Sequence, residues 1–554
     1  MAAWWCLVPL IAAFAIYLPS LANEFLFDDI HIVVRNPVVC GPSLDVGRIF
    51  GSDYWADLRP NENSAYRPLT ILLHAVTCQV AGAEPAIHRA LSLLFHGLNA
   101  VLVFFLLRRL LGTGRRAWAA TLLGAVAFAV HPLNSEAVLF LSNRSDLVAA
   151  TSCLGVVLLA LEFVFHPGPP GRVDRTGGAQ LVGIAVVQAF GIFSKESAVA
   201  APVLAGMVTL LAWGTLPAPS RGRFPWVRLG LALVASAAAI NMYLAARSGV
   251  LGGLYRGAGY SVLDNPLVLA PFADRVRTAI EILGRYVGLF FAPTHLSADY
   301  SFAQIMPVTS WLAPPFLAGS AVCVALVAVG VLCLRSLPVV TLGVAWYLVA
   351  LFPASNLAFP IGTIMGERLT YLPGIGLFLA LAGVGAASVS RLSPWVARVL
   401  GLAAVGVVLE LSVLTGLRGQ ETATNCGLFD RTAEASPDSA KARFGVGICA
   451  LEQDDLNRAI EAFDRALRLY PDYGEAAIQL AQALERAGYL PDAVERLGRF
   501  LETHPTATGV QFTLAKILAR AGRSDESRAV LAGLIARFPD RSDFREALRH
   551  LDEP

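Results

Sequence analysis

Long apolar runs broken by short polar stretches fill most of this chain, and shorter amphipathic stretches fill the rest. A helix needs about 20 apolar residues to cross the hydrocarbon core of a bilayer. Such runs lie at about 4–21, 88–107, 117–131, 144–165, 179–193, 197–214, 224–246, 312–334, 338–352, 367–389 and 396–416. Two further segments are mixed: 66–82 carries His74 and Gln79, and 277–293 carries Arg277, Glu281 and Arg285. Both are expected to lie along the outer membrane face as surface helices. Arg108, Arg109, Arg115, Arg116, Arg172, Arg175, Arg221, Arg223, Arg228, Arg391 and Arg398 fall in connections that positive-inside bias places in the cytoplasm. The expected topology has eleven crossings, the N-terminus inside, the C-terminus outside and a large external loop at 23–86. The first run has no basic flank or small-residue cleavage site, so it reads as a retained helix.

After about residue 419 the pattern changes period. Pro437, Pro471, Pro505 and Pro539 recur every 34 residues. Gly447, Ala481 and Ala515 recur in phase, as do Ala459 and Ala493, and Phe463, Leu497 and Leu531. That is the period of tetratricopeptide repeats, in which small residues let paired helices approach and proline ends each second helix. Three repeats are expected, at about 440–473, 474–507 and 508–541. The predicted fold is all-α: a polytopic membrane bundle over 1–418, then a repeat solenoid over 419–554.

Composition supports this division. The 554 residues are 56% hydrophobic and only 15% charged, which marks an integral membrane protein. A net charge of +2 gives no electrostatic footprint for nucleic acid. The eight cysteines show no zinc-type spacing, and Cys40 and Cys78 can pair if both face an oxidising compartment.

Ionisable residues at membrane depth or at its edge are costly and so become candidates. Asp28 and Asp29 sit just past the first apolar run, where mutual repulsion raises at least one pKa and suits general-base work. Lys195 is the sole lysine of the membrane domain, beside Glu196. It reads equally as a phosphate-binding ammonium or as a Lys–Glu helix cap. Arg144 starts another helix and reads equally as a bidentate phosphate ligand or as a partner of Asp146. Arg67, His131, Glu136 and the adjacent Glu367 and Arg368 fall on the same predicted outer face. Two adjacent carboxylates can hold a divalent cation, although no full ligand set is visible.

These residues fall in ordered motifs: Phe27-Asp28-Asp29, Tyr66-Arg67-Pro68-Leu69, His131-Pro132 with Glu136, Asn143-Arg144, Phe193-Ser194-Lys195-Glu196-Ser197, Leu296-Ser297-Ala298-Asp299-Tyr300, and Ser355-Asn356 followed by Glu367-Arg368-Leu369-Thr370-Tyr371-Leu372-Pro373. Together with the repeats, the set resembles the transmembrane O-mannosyltransferases with tetratricopeptide repeats and their bacterial relatives. The resemblance implies a GT-C glycosyltransferase that takes a sugar, mannose or a similar hexose, from a polyprenyl-phosphate donor. It implies inverting transfer to a hydroxyl acceptor, such as a protein Ser or Thr, on the extracytoplasmic side. By that analogy Asp28 is the catalytic base with Asp29 beside it, and Lys195 and Arg144 contact the donor phosphate. Arg67, His131, Glu136, Glu196, Glu367 and Arg368 join the substrate-binding set. The chain departs from animal members in having few repeats. Its arginine-rich, lysine-poor usage suits a bacterial inner membrane, with undecaprenyl phosphate as the lipid and the repeats in the periplasm. A non-catalytic membrane scaffold that assembles envelope machinery through its repeats is the rival reading. A transporter fits less well, because the membrane half shows no internal repeat.

Overall fold

The computed structural model describes residues 3–55, 65–166, 174–214, 224–253 and 260–552; Asp57, Arg172, Arg221 and Arg223 lie outside them. All regular elements among the described residues are helical. The chain divides into two compact units. The first comprises Met1–Ser261, Leu267–Ala298 and Pro307–Asn425, and the second Val262–Pro266, Asp299–Met306 and Cys426–Pro554.

The helices of the first unit are α1 (Leu7–Tyr17), α2 (Val46–Gly51), α3 (Pro68–Ala81), α4 (Pro85–Leu111), α5 (Arg115–Ala129), α6 (Ser135–Leu139), α7 (Arg144–Val164), α8 (Arg175–Ile192), α9 (Ala201–Gly214), α10 (Trp226–Leu251), α11 (Phe272–Phe291), α12 (Pro314–Leu332), α13 (Pro338–Leu351), α14 (Tyr371–Arg391) and α15 (Pro394–Glu421). Each of the eleven apolar runs forms a helix. Seven described helices are long and apolar enough to cross a membrane, or eight if α5 and the bent segment after it count as one span. Trp4–Ser20 and Pro338–Ala354 are apolar but shorter. Large apolar side chains point outward on α12 and α15, with Leu332 79% and Leu402 72% exposed. A surface of that kind belongs in lipid, which makes this an integral membrane unit.

Within such a unit packing has to come from close approach rather than from hydrophobic contrast. A Cβ on Gly343 would lie 2.3 Å from the Gly376 carbonyl oxygen, so α13 and α14 touch backbone to backbone. Gly284 and Gly319 bring α11 and α12 together in the same way. The two mixed segments do form helices, α3 and α11, with Gln79 and Arg285 exposed and other polar residues facing inward. His74 and Thr70 on α3 are fully buried while Val80 is 82% exposed. On α11, Arg277 is buried and donates to the Val308 carbonyl at 2.8 Å. Buried polar groups need partners that lipid cannot supply.

The second unit contains α16 (Asn425–Ala435), which begins on the last residue of the first unit, then α17 (Ala440–Glu452), α18 (Leu456–Leu469), α19 (Gly474–Arg486), α20 (Leu490–Thr503), α21 (Thr508–Arg520), α22 (Ser524–Arg537) and α23 (Ser542–Asp552). Ala459, Ala481, Ala493, Ala515, Phe463, Leu497 and Leu531 are all at most 1% exposed. A Cβ on Gly447 would come within 2.5 Å of the Phe463 ring, so the period-34 small residue is set by the aromatic on the facing helix. The expected division at 418/419 falls inside α15, because that helix runs on past its apolar stretch. Two short segments also join the second unit: Asp264 pairs with Lys441 at 2.6 Å, and Asp299 accepts from the Ser439 hydroxyl at 2.5 Å.

Cys40 pairs with Cys78, and Cys426 with Cys449. Cys153, Cys323 and Cys333 stand in or against the apolar helices and form no disulfide among the described residues.

Candidate active site

The acidic pair sits in a turn whose backbone is strained. Phe27 has a φ of +50°, which a non-glycine residue adopts only when its surroundings hold it. The hold comes from Asn425, whose side-chain oxygen accepts from the Phe27 amide at 2.8 Å and whose Nδ2 donates to the Phe25 carbonyl at 2.7 Å. The two carboxylates then have different fates. Asp29 is fully buried, with Oδ1 accepting from the Ser142 amide at 2.8 Å and Oδ2 from the Leu26 amide at 3.2 Å. Burial pushes its carboxyl up to about 6, against the pull of those amides and of Arg89. Asp28 keeps partial exposure. Adjacent in sequence, the two are not equivalent in structure.

Arg89, on α4, fixes this turn from below. It is 1% exposed and donates to the carbonyls of Leu21, Asn23, Glu24 and Leu139 at 2.7–3.1 Å. A sequence rule that treats intramembrane charge as functional by default applies to Arg89, one turn into an apolar run. Only the fold shows that its partners are the carbonyls of the acidic turn.

Three cations stand close together, each held by its own carboxylate. Arg67, just before α3, places Nε and Nη2 at 3.0 Å from Glu196 Oε2 and lies over the Tyr54 ring. Lys195 donates to Asp146 Oδ2 at 2.5 Å. Arg368 donates from Nη1 to Glu136 Oε1 at 2.5 Å and from its amide to Oε2 at 2.7 Å. The charges of Arg67 and Arg368 both act on Lys195, and those of Asp28 and Asp146 both act on Arg368 and on Tyr54. Arg247, after the apolar part of α10, adds a second guanidinium at 3.1 Å from Glu196 Oε1. The start of α3 is bolted to the Lys195 turn by Thr70 Oγ1 donating to Ser194 O at 3.0 Å.

Several pairings differ from those that adjacency in sequence favours. Lys195 pairs with Asp146 rather than Glu196, Arg368 pairs with Glu136, and Arg144 bonds the His88 carbonyl and Ser92 instead of Asp146. Arg144 is fully buried and donates to the His88 carbonyl at 2.7 Å and to Ser92 Oγ at 3.2 Å, inside the helix bundle. Glu367 is also fully buried and accepts from the Ser297 amide at 2.6 Å. His131 is 2% exposed, stacked on Phe290 and bonded to its carbonyl at 3.0 Å, where it shapes the bend after α5. Neighbours in sequence diverge because each starts a helix, and successive residues of a helical turn face different elements. Asp146, Arg89, Arg247 and Tyr54 complete the cluster, and none of them stood out as a site residue in the sequence.

Both Asp29 oxygens are engaged by amides, which leaves Asp28 as the one carboxylate of the pair. Among the described residues the one group of three His, Cys, Asp or Glu with metal-binding spacing is Cys426, Cys449 and Glu452, whose two cysteines form a disulfide.

Comparison with known proteins follows the same outline. The tetratricopeptide-repeat family matches residues 427–474 and 487–551. The mouse protein O-mannosyl-transferase TMTC3 is 25% identical over 476 residues, covering 81% of this chain and 49% of that protein. Human protein O-mannosyl-transferase TMTC4 is 25% identical over 496 residues, covering 83% and 66%. The chain thus spans about half the length of the TMTC3 protein it matches. Among solved structures, ArnT from Cupriavidus metallidurans bound to undecaprenyl phosphate overlaps 90% of this chain and 80% of its own, at 16% identity and a TM-score of 0.39. The Archaeoglobus fulgidus oligosaccharyltransferase tethered to an acceptor peptide overlaps 80% and 59%, at 13% identity and a TM-score of 0.40. These two overlaps are loose and carry no argument about the site. By sequence the chain is an integral membrane protein similar to the protein O-mannosyl-transferases, and it carries tetratricopeptide repeats.

Proposed function

We propose that this chain is a GT-C-type membrane glycosyltransferase that moves a hexose from a polyprenyl-phosphate donor to a hydroxyl acceptor, with protein Ser/Thr as the acceptor class. The observation that carries the reading is the convergence of Arg67 and Arg368 on Lys195, near enough for both charges to act on it, with the partly exposed Asp28 acting on Arg368. Three carboxylate-paired cations at one place suit a phosphate, whose oxygens can take over from a carboxylate partner. Asp28 takes the acceptor's proton, the acceptor oxygen attacks the anomeric carbon and inverts it, and the bond to the phosphate oxygen breaks. The negative charge that develops on the phosphate is met by the cations. Arg144 is left out of this step because its guanidinium is enclosed. Asp29 and Arg89 hold Asp28 in place.

Both disulfides support an extracytoplasmic location for this face and for the repeats. Cys40–Cys78 lies in the first loop and α3, and Cys426–Cys449 joins α16 to α17. Such bonds persist in oxidising compartments. With the arginine-rich composition, a bacterial inner membrane with periplasmic repeats is the proposed setting.

The test presents purified protein in nanodiscs with radiolabelled polyprenyl-phosphate mannose and a Ser/Thr-rich peptide. Wild type is expected to label the peptide. Asp28→Asn is expected to lose about 10³-fold while unfolding at the same temperature, as for removal of a general base. A folded Asp28→Asn protein that transfers at the wild-type rate sinks the mechanism. No turnover with a panel of lipid-linked sugars favours the scaffold reading instead.

A further inference from the structure

Each of the three cations is already neutralised by a carboxylate, so an arriving phosphate has to be accommodated by at least one of these pairs. The three pairs are not equally able to yield. Glu136 holds Arg368 by two bonds, one of them to the backbone amide, and is itself 3% exposed. Glu196 is shared between Arg67 and Arg247 and also accepts from Tyr243, so both its oxygens are used. The Lys195–Asp146 pair rests on a single 2.5 Å bond. Its cation is a compact ammonium on a flexible stem, which can rotate its donors to a new acceptor where a planar guanidinium cannot. Its anion lies in the first turn of α7, three positions from the helix start, where unsatisfied amides and the helix dipole stabilise a carboxylate that has lost its counter-ion.

We propose that Asp146 is a positioning residue that stands in for the substrate phosphate: Lys195 is held by Asp146 in the resting protein and is handed to the donor phosphate on binding. This rests on the reading of the site as a lipid-phosphate site. No bond is made or broken in the exchange; one ammonium changes its anionic partner. Asp146 thereby sets the affinity for the lipid phosphate and, after transfer, recovers Lys195 and helps release the polyprenyl phosphate. The arrangement also keeps Lys195 from remaining as an uncompensated buried charge between turnovers.

The experiment titrates undecaprenyl phosphate into the full chain in nanodiscs and reads binding by thermal shift and tryptophan fluorescence, with no turnover required. Lys195→Met is expected to weaken binding about tenfold or more, as for loss of a charged hydrogen bond. Asp146→Asn is expected to tighten it by about five- to tenfold, because the competing anion is gone. In the Lys195→Met background the same Asp146 change is expected to do nothing, which a merely structural Asp146 would not produce. In the transfer assay Asp146→Asn lowers KM and kcat together. Asp146→Ser, which suits a helix start, repeats the test if Asp146→Asn fails to fold.

Unchanged or weaker binding in folded Asp146 variants overturns the hand-over while leaving the phosphate site standing, provided the wild type binds in a manner sensitive to Lys195. Binding indifferent to Lys195 overturns it as well. If the wild type does not bind the lipid phosphate, the reading of the site falls with it.

Discussion

Charge is used in opposite ways in the two units. In the repeats, ion pairs are largely exposed and share one spacing: Asp454–Arg486, Asp464–Arg496 and Asp472–His504 each span 32 residues. At the membrane unit's site the pairs are more enclosed and aperiodic: Lys195–Asp146 is buried on both sides, Arg368–Glu136 and Arg67–Glu196 are partly buried, and all three join separate segments. Water screens the first kind, so each pair contributes little and none is essential. The second kind has no solvent to fall back on, so loss of one partner strands the other. Stability in the repeats therefore comes from the apolar seam, and in the membrane unit polar contacts hold the site in place.

That contrast can be broken or sharpened by substitution. The largest effect on stability is expected from Arg89→Met, which leaves four carbonyls of the acidic turn and its support without their donor. A loss of about 3–5 kcal/mol should appear in thermal unfolding, with transfer activity falling as Asp28 loses its frame. A change under about 1 kcal/mol would mean that buried charge in this unit is no more binding than surface charge.

Next comes the pH response of Asp29. Burial raises its pKa in the folded state to about 6 from the ordinary 3.8, so between these values the folded state holds a proton that the unfolded chain has released. The stabilisation is full below about pH 4 and is lost as pH rises through about 6, a difference of roughly 3 kcal/mol. Asp29→Asn should flatten this dependence in unfolding experiments between pH 4 and 7. An unaltered slope would place the titration elsewhere. The smallest effect is expected from Arg486→Ala, within about 1 kcal/mol and weakened further by salt. A loss of several kcal/mol would show that the repeat ion pairs act as a network rather than singly.

Much of the architecture was legible because it rests on period and length. The apolar runs became helices since a chain in lipid has to satisfy its own backbone, and a helix does that locally. The 34-residue period placed Gly447, Ala481 and Ala515 correctly because each is answered by a large side chain on the facing helix. The candidate site was legible only as a set of residue types. Asp28, Arg67, Glu136, Lys195, Glu196 and Arg368 do come together, yet their pairings were not those that adjacency favours. Arg144 and His131 were drawn into the bundle, and Asp146 and Arg247 joined in their place.

What the sequence by itself determined, then, is the division into a lipid-facing helical unit and a repeat unit, since burial of apolar surface and backbone satisfaction depend on local composition and period. Which carboxylate meets which cation was decided only by the tertiary structure. Residues adjacent at a helix start point toward different neighbours, and an ion pair between segments over 100 residues apart leaves no periodic trace in the chain.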